Sequence, residues 1–358
     1  VDARSRTGFE IDASSVTILN AAAQGLPFSA SADIADVPVD VLLDYRPLSL
    51  RNDVVGDTFR IQAAVLASFR EFLTSQRFTE IVSSKIVGGG TEGGTNLFEI
   101  KYFERAAYLA QSPQFYKEHG VAGFERVFET GHVYRAEPHA TSRHLTEYYS
   151  LDLELGFIDS VDDVMQLERE LLTYVFERIN EQFGERLESR GMARLPSMLD
   201  VPAWTFDEAL ERLRDSSGRT DLVDDLDPAG ERELCELAER ENGVPAVFVV
   251  GFPLASRPFY THPRGTTGAA ESFDLLFRGL EITTGGQRLH TRAALESALR
   301  ARNIDPSSFE AHLRMFDVGM PPHGGLAIGL ERLTMLICGL SNVREATLYP
   351  RDRNRVSP

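Results

Sequence analysis

Between Phe128 and Phe157 the order of apolar and polar residues predicts two paired strands joined by a charged loop. On the first, Glu129, Gly131, Val133, Arg135 and Glu137 share one face. On the second, Tyr149, Leu151, Leu153, Leu155 and Phe157 point one way, and Tyr148, Ser150, Asp152 and Glu154 the other, the period of two that a strand imposes. The apolar face reads as core. The other face combines an arginine, carboxylates, a hydroxyl and an aromatic ring, which suits the floor of a site better than a solvated surface.

Elsewhere the pattern mixes helix and strand. Ile61, Val65, Phe69, Phe72 and Leu73 form an apolar stripe that predicts a helix from Asp57 to about Gln76. Val164, Leu167, Leu171, Tyr174 and Val175 predict another over 161–184. Strands are expected at FTEIVSSKIV (78–87), Phe98–Phe103, VPAVFVVGFP (244–253) and Ser272–Thr284. Residues 206–242 and 292–302 read as helical, and a glycine-punctuated strand runs into a helix over 321–332. The loop GGGTEGG (88–94) lacks the lysine and hydroxyl of a P-loop; its spacing fits a mobile lid and a plain hairpin turn equally. Helices around an antiparallel sheet imply an α+β fold.

Composition narrows the function classes. The chain has 358 residues, 54 acidic against 37 basic, and a net charge of −17, which argues against indiscriminate nucleic-acid binding but leaves room for a local basic patch. Only Lys85, Lys101 and Lys117 are lysines, so a lysine in a site is noteworthy. Cys235 and Cys338 have neither zinc-site spacing nor a disulfide framework, as expected of a reducing cytosol, and no apolar run reaches membrane-spanning length.

Six motifs, in order, carry a resemblance: TEGGTNLF (91–98), QSPQFYKE (111–118), RAE with RHL (135–137, 143–145), GLEITTGGQR (279–288), GLAIGLER (325–332) and YPRDRNR (349–355). Together they resemble the class II aminoacyl-tRNA synthetases, in the aspartyl branch of archaeal and eukaryotic type within the aspartyl/asparaginyl subgroup. The resemblance implies an antiparallel sheet flanked by helices as catalytic domain (46–358), with a helical insertion at about 161–243. Residues 29–45 would be a linker. Residues 1–28, with the β-like runs GFEI and SVTIL, would be the remnant of an N-terminal OB-fold that reads the anticodon.

Residue by residue, it implies ATP-dependent activation of L-aspartate to aspartyl-adenylate, then transfer to tRNA. Arg135 would stabilise the pentavalent phosphorus. Arg143 and His144 would hold the outer phosphates, Tyr148 would stack on adenine, and Arg332 would cover its other face. Mg2+ would be held at Asp274, Glu281 and Thr284; on one straight strand the two acids face opposite ways, so a bulge or bend near Gly279 is expected. Lys117 and Arg288 would take the β-carboxylate of aspartate, favouring it over asparagine by charge rather than shape. Ser112, Gln114 and Asp152 would receive the α-ammonium, Glu92 would close over it, and Glu137 would lie near the tRNA acceptor end. A homodimer is implied, although Ser84 stands where the family's first motif carries proline. Two other readings share these residues: a paralogue that passes aspartyl-adenylate to ammonia or a small molecule, and a regulatory protein without catalysis.

Overall fold

A computed structural model describes residues 12–22, 25–91, 96–138 and 141–358. The strands are β1 (Thr79–Glu80), β2 (Ile86–Val87), β3 (Glu99–Tyr102), β4 (Arg105–Leu109), β5 (Arg126–Tyr134), β6 (Glu147–Gly156), β7 (Ala203–Thr205), β8 (Ala246–Val250), β9 (Ser272–Phe277), β10 (Leu280–Gln287) and β11 (His323–Gly329). Among the described residues, eight of them form one sheet in the order β1-β5-β6-β11-β10-β9-β8-β7, and β2-β4-β3 form a smaller one. The large sheet is antiparallel except where β1 joins β5 and β7 joins β8. The α+β expectation holds.

One face of the sheet is greasy because its alternating positions are. Phe128, Leu151, Leu153, Leu155, Phe273, Leu275, Leu326 and Ile328 pack against the helices Asp53–Ser75 and Val161–Glu188. Both apolar stripes read from the sequence lie in this contact. Each such side chain taken from water contributes roughly 1.5–3 kcal/mol, so this layer is the main source of stability. Ser160 and Asp163 close a reciprocal capping box at the start of the second helix, fixing where it leaves the sheet.

The opposite face carries the polar positions in register. Glu129 on β5 pairs with Asp152 on β6, which pairs with Ala327 on β11, then Thr284 on β10 and Asp274 on β9. Five strands thus set four polar side chains in one row. The small residue at the centre keeps the row open.

Several expectations are corrected. Ser272–Thr284 is not one strand: Arg278 and Gly279, both at positive φ (48° and 83°), turn β9 back into β10 as a hairpin. FTEIVSSKIV forms only the short ends β1 and β2, with irregular chain between. Phe157 is not core; β6 ends at Gly156, and Phe157 turns out at φ 61° with 69% of its surface exposed. The segment expected as a linker contains the helix Val39–Asp44. Residues 12–22 are exposed and form no strand, and GFEI lies outside the described residues.

Candidate active site

On the polar face a cavity of about 210 Å³ opens over β6, β10 and β11. Its lining includes Arg135, Glu137, Arg143, His144, Tyr148, Ser150, Glu281, Thr284, Glu331 and Arg332. Eight of these are residues that the sequence singled out for nucleotide, metal or acceptor. The Arg135 guanidinium stands 5.7 Å from the centre of the Tyr148 ring. Arg332, on the helix Leu330–Cys338, donates to the Glu281 carbonyl at 3.0 Å and lies 3.7 Å from its carboxylate. The Thr284 hydroxyl donates to Glu281 Oε1 at 3.0 Å, and His144 Nδ1 meets the Thr141 hydroxyl at 2.6 Å.

The β9–β10 hairpin brings the two expected metal acids to neighbouring strands. A register shift between Glu281 and Thr283 supplies the irregularity expected near Gly279, in addition to the turn itself. Asp274 is clasped by Arg257, whose two terminal nitrogens donate at 3.0 and 2.7 Å. Burial nevertheless raises the Asp274 carboxyl to about 6, with Arg257 opposing and Glu281 adding to the rise. Among the described residues no group of three or more His, Cys, Asp or Glu is arranged to hold a metal ion by itself. The donors are hard oxygens, one or two carboxylates beside a phosphate-sized cavity, which is how Mg2+ is ordinarily held with a nucleotide.

Beneath the cavity floor the charges are buried. The helix Gln114–Phe124 turns Gln114, Lys117, Glu118 and Val121 inward, a helical stripe of which three members are polar. Lys117, 1% exposed, puts Nζ 3.0 Å from Asp152 Oδ1 and 3.5 Å from Glu154 Oε2, and donates to the Leu326 carbonyl at 3.0 Å. Arg288 donates from Nε to Glu154 at 3.0 Å and from Nη2 to the Gly325 carbonyl at 2.9 Å. Burial alone would lower the Arg288 pKa; the Glu154 carboxylate, Tyr260 and Glu118 together outweigh burial and raise it. Position 325 must be glycine, because a Cβ there would collide with the Glu154 carboxylate. Ser112 accepts from the Gln114 N–H at 2.9 Å. Glu92 lies outside the described residues.

Four acids belong to the site although sequence reasoning gave them no role. Glu154 was visible on the polar face by alternation, but its pairing with both buried cations was not. Glu231 pairs with Arg143 and accepts the Glu281 N–H at 3.2 Å, from a helix about fifty residues earlier in the chain. Glu331 accepts the Tyr149 N–H at 3.0 and 3.1 Å, and burial raises its carboxyl to about 7. Glu118 adjoins the lysine in QSPQFYKE. Arg257 was also missed; it sits in irregular chain with no local pattern around it.

The fold and this polar row are those of one class of adenylate-forming ligase. Residues 38–353 match the family described as tRNA synthetases class II (D, K and N), and the chain belongs to it. It is 44% identical over 358 residues to the aspartate–tRNA(Asp/Asn) ligase of Thermus thermophilus, covering 100% of this chain and 84% of that one. It is 38% identical over 357 residues to the aspartate–tRNA(Asp) ligase of Pyrococcus abyssi, covering 99% and 81%. Among solved structures it resembles asparaginyl-tRNA synthetase from Pyrococcus horikoshii complexed with asparaginyl-adenylate, with TM-score 0.82, 29% identity, and 90% and 75% of the two chains covered. It also resembles aspartyl tRNA synthetase from Entamoeba histolytica, with TM-score 0.79, 37% identity, and 90% and 64% covered.

Proposed function

We propose that this chain is an aspartate–tRNA ligase: it joins L-aspartate to ATP as aspartyl-adenylate and passes the aspartyl group to tRNA. The observation that carries this reading is Ser150. It lines the cavity suited to a nucleotide and donates at 2.5 Å to Asp152, the partner of Lys117, so the two halves of the site share one wall. An α-carboxylate resting near Ser150 faces the α-phosphorus of a nucleotide lying along Tyr148.

In the first step a carboxylate oxygen of aspartate attacks the α-phosphorus, the bond to the bridging oxygen breaks, and pyrophosphate leaves. Arg135 neutralises the charge that builds on the phosphorus, Arg143 and His144 hold the departing phosphates, and Tyr148 and Arg332 sandwich the adenine. Asp274, Glu281 and Thr284 would hold Mg2+, which supplies further charge neutralisation to the phosphates. Lys117 and Arg288 recognise the β-carboxylate. They are already balanced by Asp152 and Glu154, so the substrate joins a preformed network rather than two bare cations. Ser112, Gln114 and Asp152 take the α-ammonium, with Glu92 above it. Glu137, on the rim, faces the incoming acceptor end.

One further feature supports the reading. Edge strand β1 is followed by Val82, 94% exposed, and Ile86 is half exposed, an apolar edge that suits a second copy of the chain. Residues 46–358 would form the catalytic domain. Among the described residues no helix is long and apolar enough to cross a membrane. Aminoacylation of purified tRNA-Asp and tRNA-Asn with labelled aspartate tests the acceptor. Charging of either supports transfer to tRNA, and release of adenylate with no charging rejects it in favour of another acceptor.

A further inference from the structure

Behind the amino-acid pocket, Glu118 is fully buried on the helix Gln114–Phe124. Its Oε1 accepts from Gln114 Nε2 at 2.7 Å. Its Oε2 faces two imidazoles from other elements, His312 Nε2 at 3.6 Å and His323 Nε2 at 3.9 Å. Both imidazoles have further partners. His312 meets His119 at 2.9 Å and stacks on Phe115 with ring centres 3.9 Å apart, while His323 Nδ1 donates to the Pro321 carbonyl at 2.8 Å. Burial alone would raise the Glu118 carboxyl; the facing imidazoles and the Gln114 amide outweigh it and bring it down to about 2.

A carboxylate has acceptor sites only. Its partner at 2.7 Å must therefore be the NH2 of Gln114 and not the carbonyl oxygen, which fixes an amide orientation otherwise assigned by inference. With its NH2 on Glu118, the planar amide turns Gln114 Oε1 away from that carboxylate. An ammonium has donors only and needs such acceptors.

We infer that Glu118 is a positioning residue: it locks the Gln114 amide so that Oε1 accepts from the α-ammonium of the amino-acid substrate. The inference rests on the aspartate pocket proposed above. It goes further in assigning the lock to a residue that need not touch the substrate, and it makes Gln114 selective for an amine rather than for the dicarboxylate as a whole.

The test compares aspartate with succinate, which keeps both carboxylates and lacks the amine. In ATP–pyrophosphate exchange, Glu118→Ala should raise KM for aspartate about tenfold, the effect of losing one hydrogen bond to a charged group. Glu118→Gln should raise it less, because an amide at 118 can hold Gln114 either way round. KM for ATP and the inhibition constant of succinate should stay within about twofold of the parent's, on the same scale. Unchanged KM for aspartate in both variants, or an equal loss of succinate, overturns the lock. Should Glu118→Ala fail to fold, the isosteric Glu118→Gln carries the test. Lys117→Met, measured alongside, separates the two claims. It should weaken aspartate and succinate together. If it weakens neither, the pocket assignment falls and the lock with it; if it weakens both while the Glu118 variants show no amine dependence, the lock alone is wrong.

Discussion

Arg257 clasps Asp274 with two hydrogen bonds, 3.0 and 2.7 Å, so the first acid expected to hold magnesium already has a cation supplied by the chain. Glu281, seven residues on, has at its carboxylate, among the described residues, the Thr284 hydroxyl and a more distant Arg332. If Mg2+ binds at these residues as proposed, Glu281 should contribute more to its affinity than Asp274, whose charge Arg257 already offsets. Glu281→Gln should shift the magnesium dependence of aspartate activation to higher concentration, and more strongly than Asp274→Asn. A magnesium titration that Glu281→Gln leaves unaltered would remove Glu281 from the metal site.

Lys117 is enclosed with Asp152 and Glu154 at 3.0 and 3.5 Å. Lys117→Met keeps the volume and removes the charge, leaving carboxylates buried with half their partners. KM for aspartate should rise by the equivalent of about 3 kcal/mol, and the melting temperature should fall in the same variant. Steady-state kinetics and a thermal melt check both; an unchanged KM contradicts the pocket assignment.

Arg135 faces Tyr148 across the cavity. If it acts on the pentavalent phosphorus, its contribution exists mainly in the transition state. Arg135→Ala should lower kcat by about 10²–10³ with little change in KM for ATP. A variant that changes KM alone would assign Arg135 to ground-state binding.

The helix Val161–Glu188 buries Glu168 completely, and burial pushes its carboxyl up to about 8, with Thr283 beside it opposing only in part. A carboxyl raised on folding binds more protons in the folded state. Its contribution is therefore full below the unfolded value near 4.5 and is lost as pH rises from there through about 8. Glu168→Gln carries no such charge to bury. The parent should lose on the order of a few kcal/mol across this window, and the variant should lose less. Denaturant midpoints at about pH 5, 7 and 9 measure it; parallel curves for the two proteins would contradict the assignment.

Legibility followed period. The helices and the β5–β6 pair were readable because one face of each is apolar at the spacing its geometry requires. Alternation failed one residue beyond β6: Phe157 continues the pattern, but the backbone turns to φ 61° and releases it to solvent. The β9–β10 hairpin was read as one strand because the buried apolar residues Leu275, Leu276, Phe277 and Leu280 closely flank Arg278-Gly279. Alternation placed Arg135, Glu137, Asp152 and Glu154 on a polar face, but the roles of these residues, and the positions of Arg143, Lys117, Asp274, Glu281, Arg288 and Arg332, came from motif resemblance. Arg257 and Glu231 reach the site from irregular chain and from a helix in another layer, so the link exists only after folding. The pairing of Lys117 and Arg288 with acids of β6 is likewise a product of register.

If this site forms aspartyl-adenylate, aspartate and ATP must react there reversibly. Isotope exchange between pyrophosphate and ATP tests it most directly, because label returns to ATP only if the adenylate forms and reverses. Exchange should require L-aspartate, be far weaker with L-asparagine, and diminish in Lys117→Met. Absence of aspartate-dependent exchange, or equal exchange with asparagine, would contradict it.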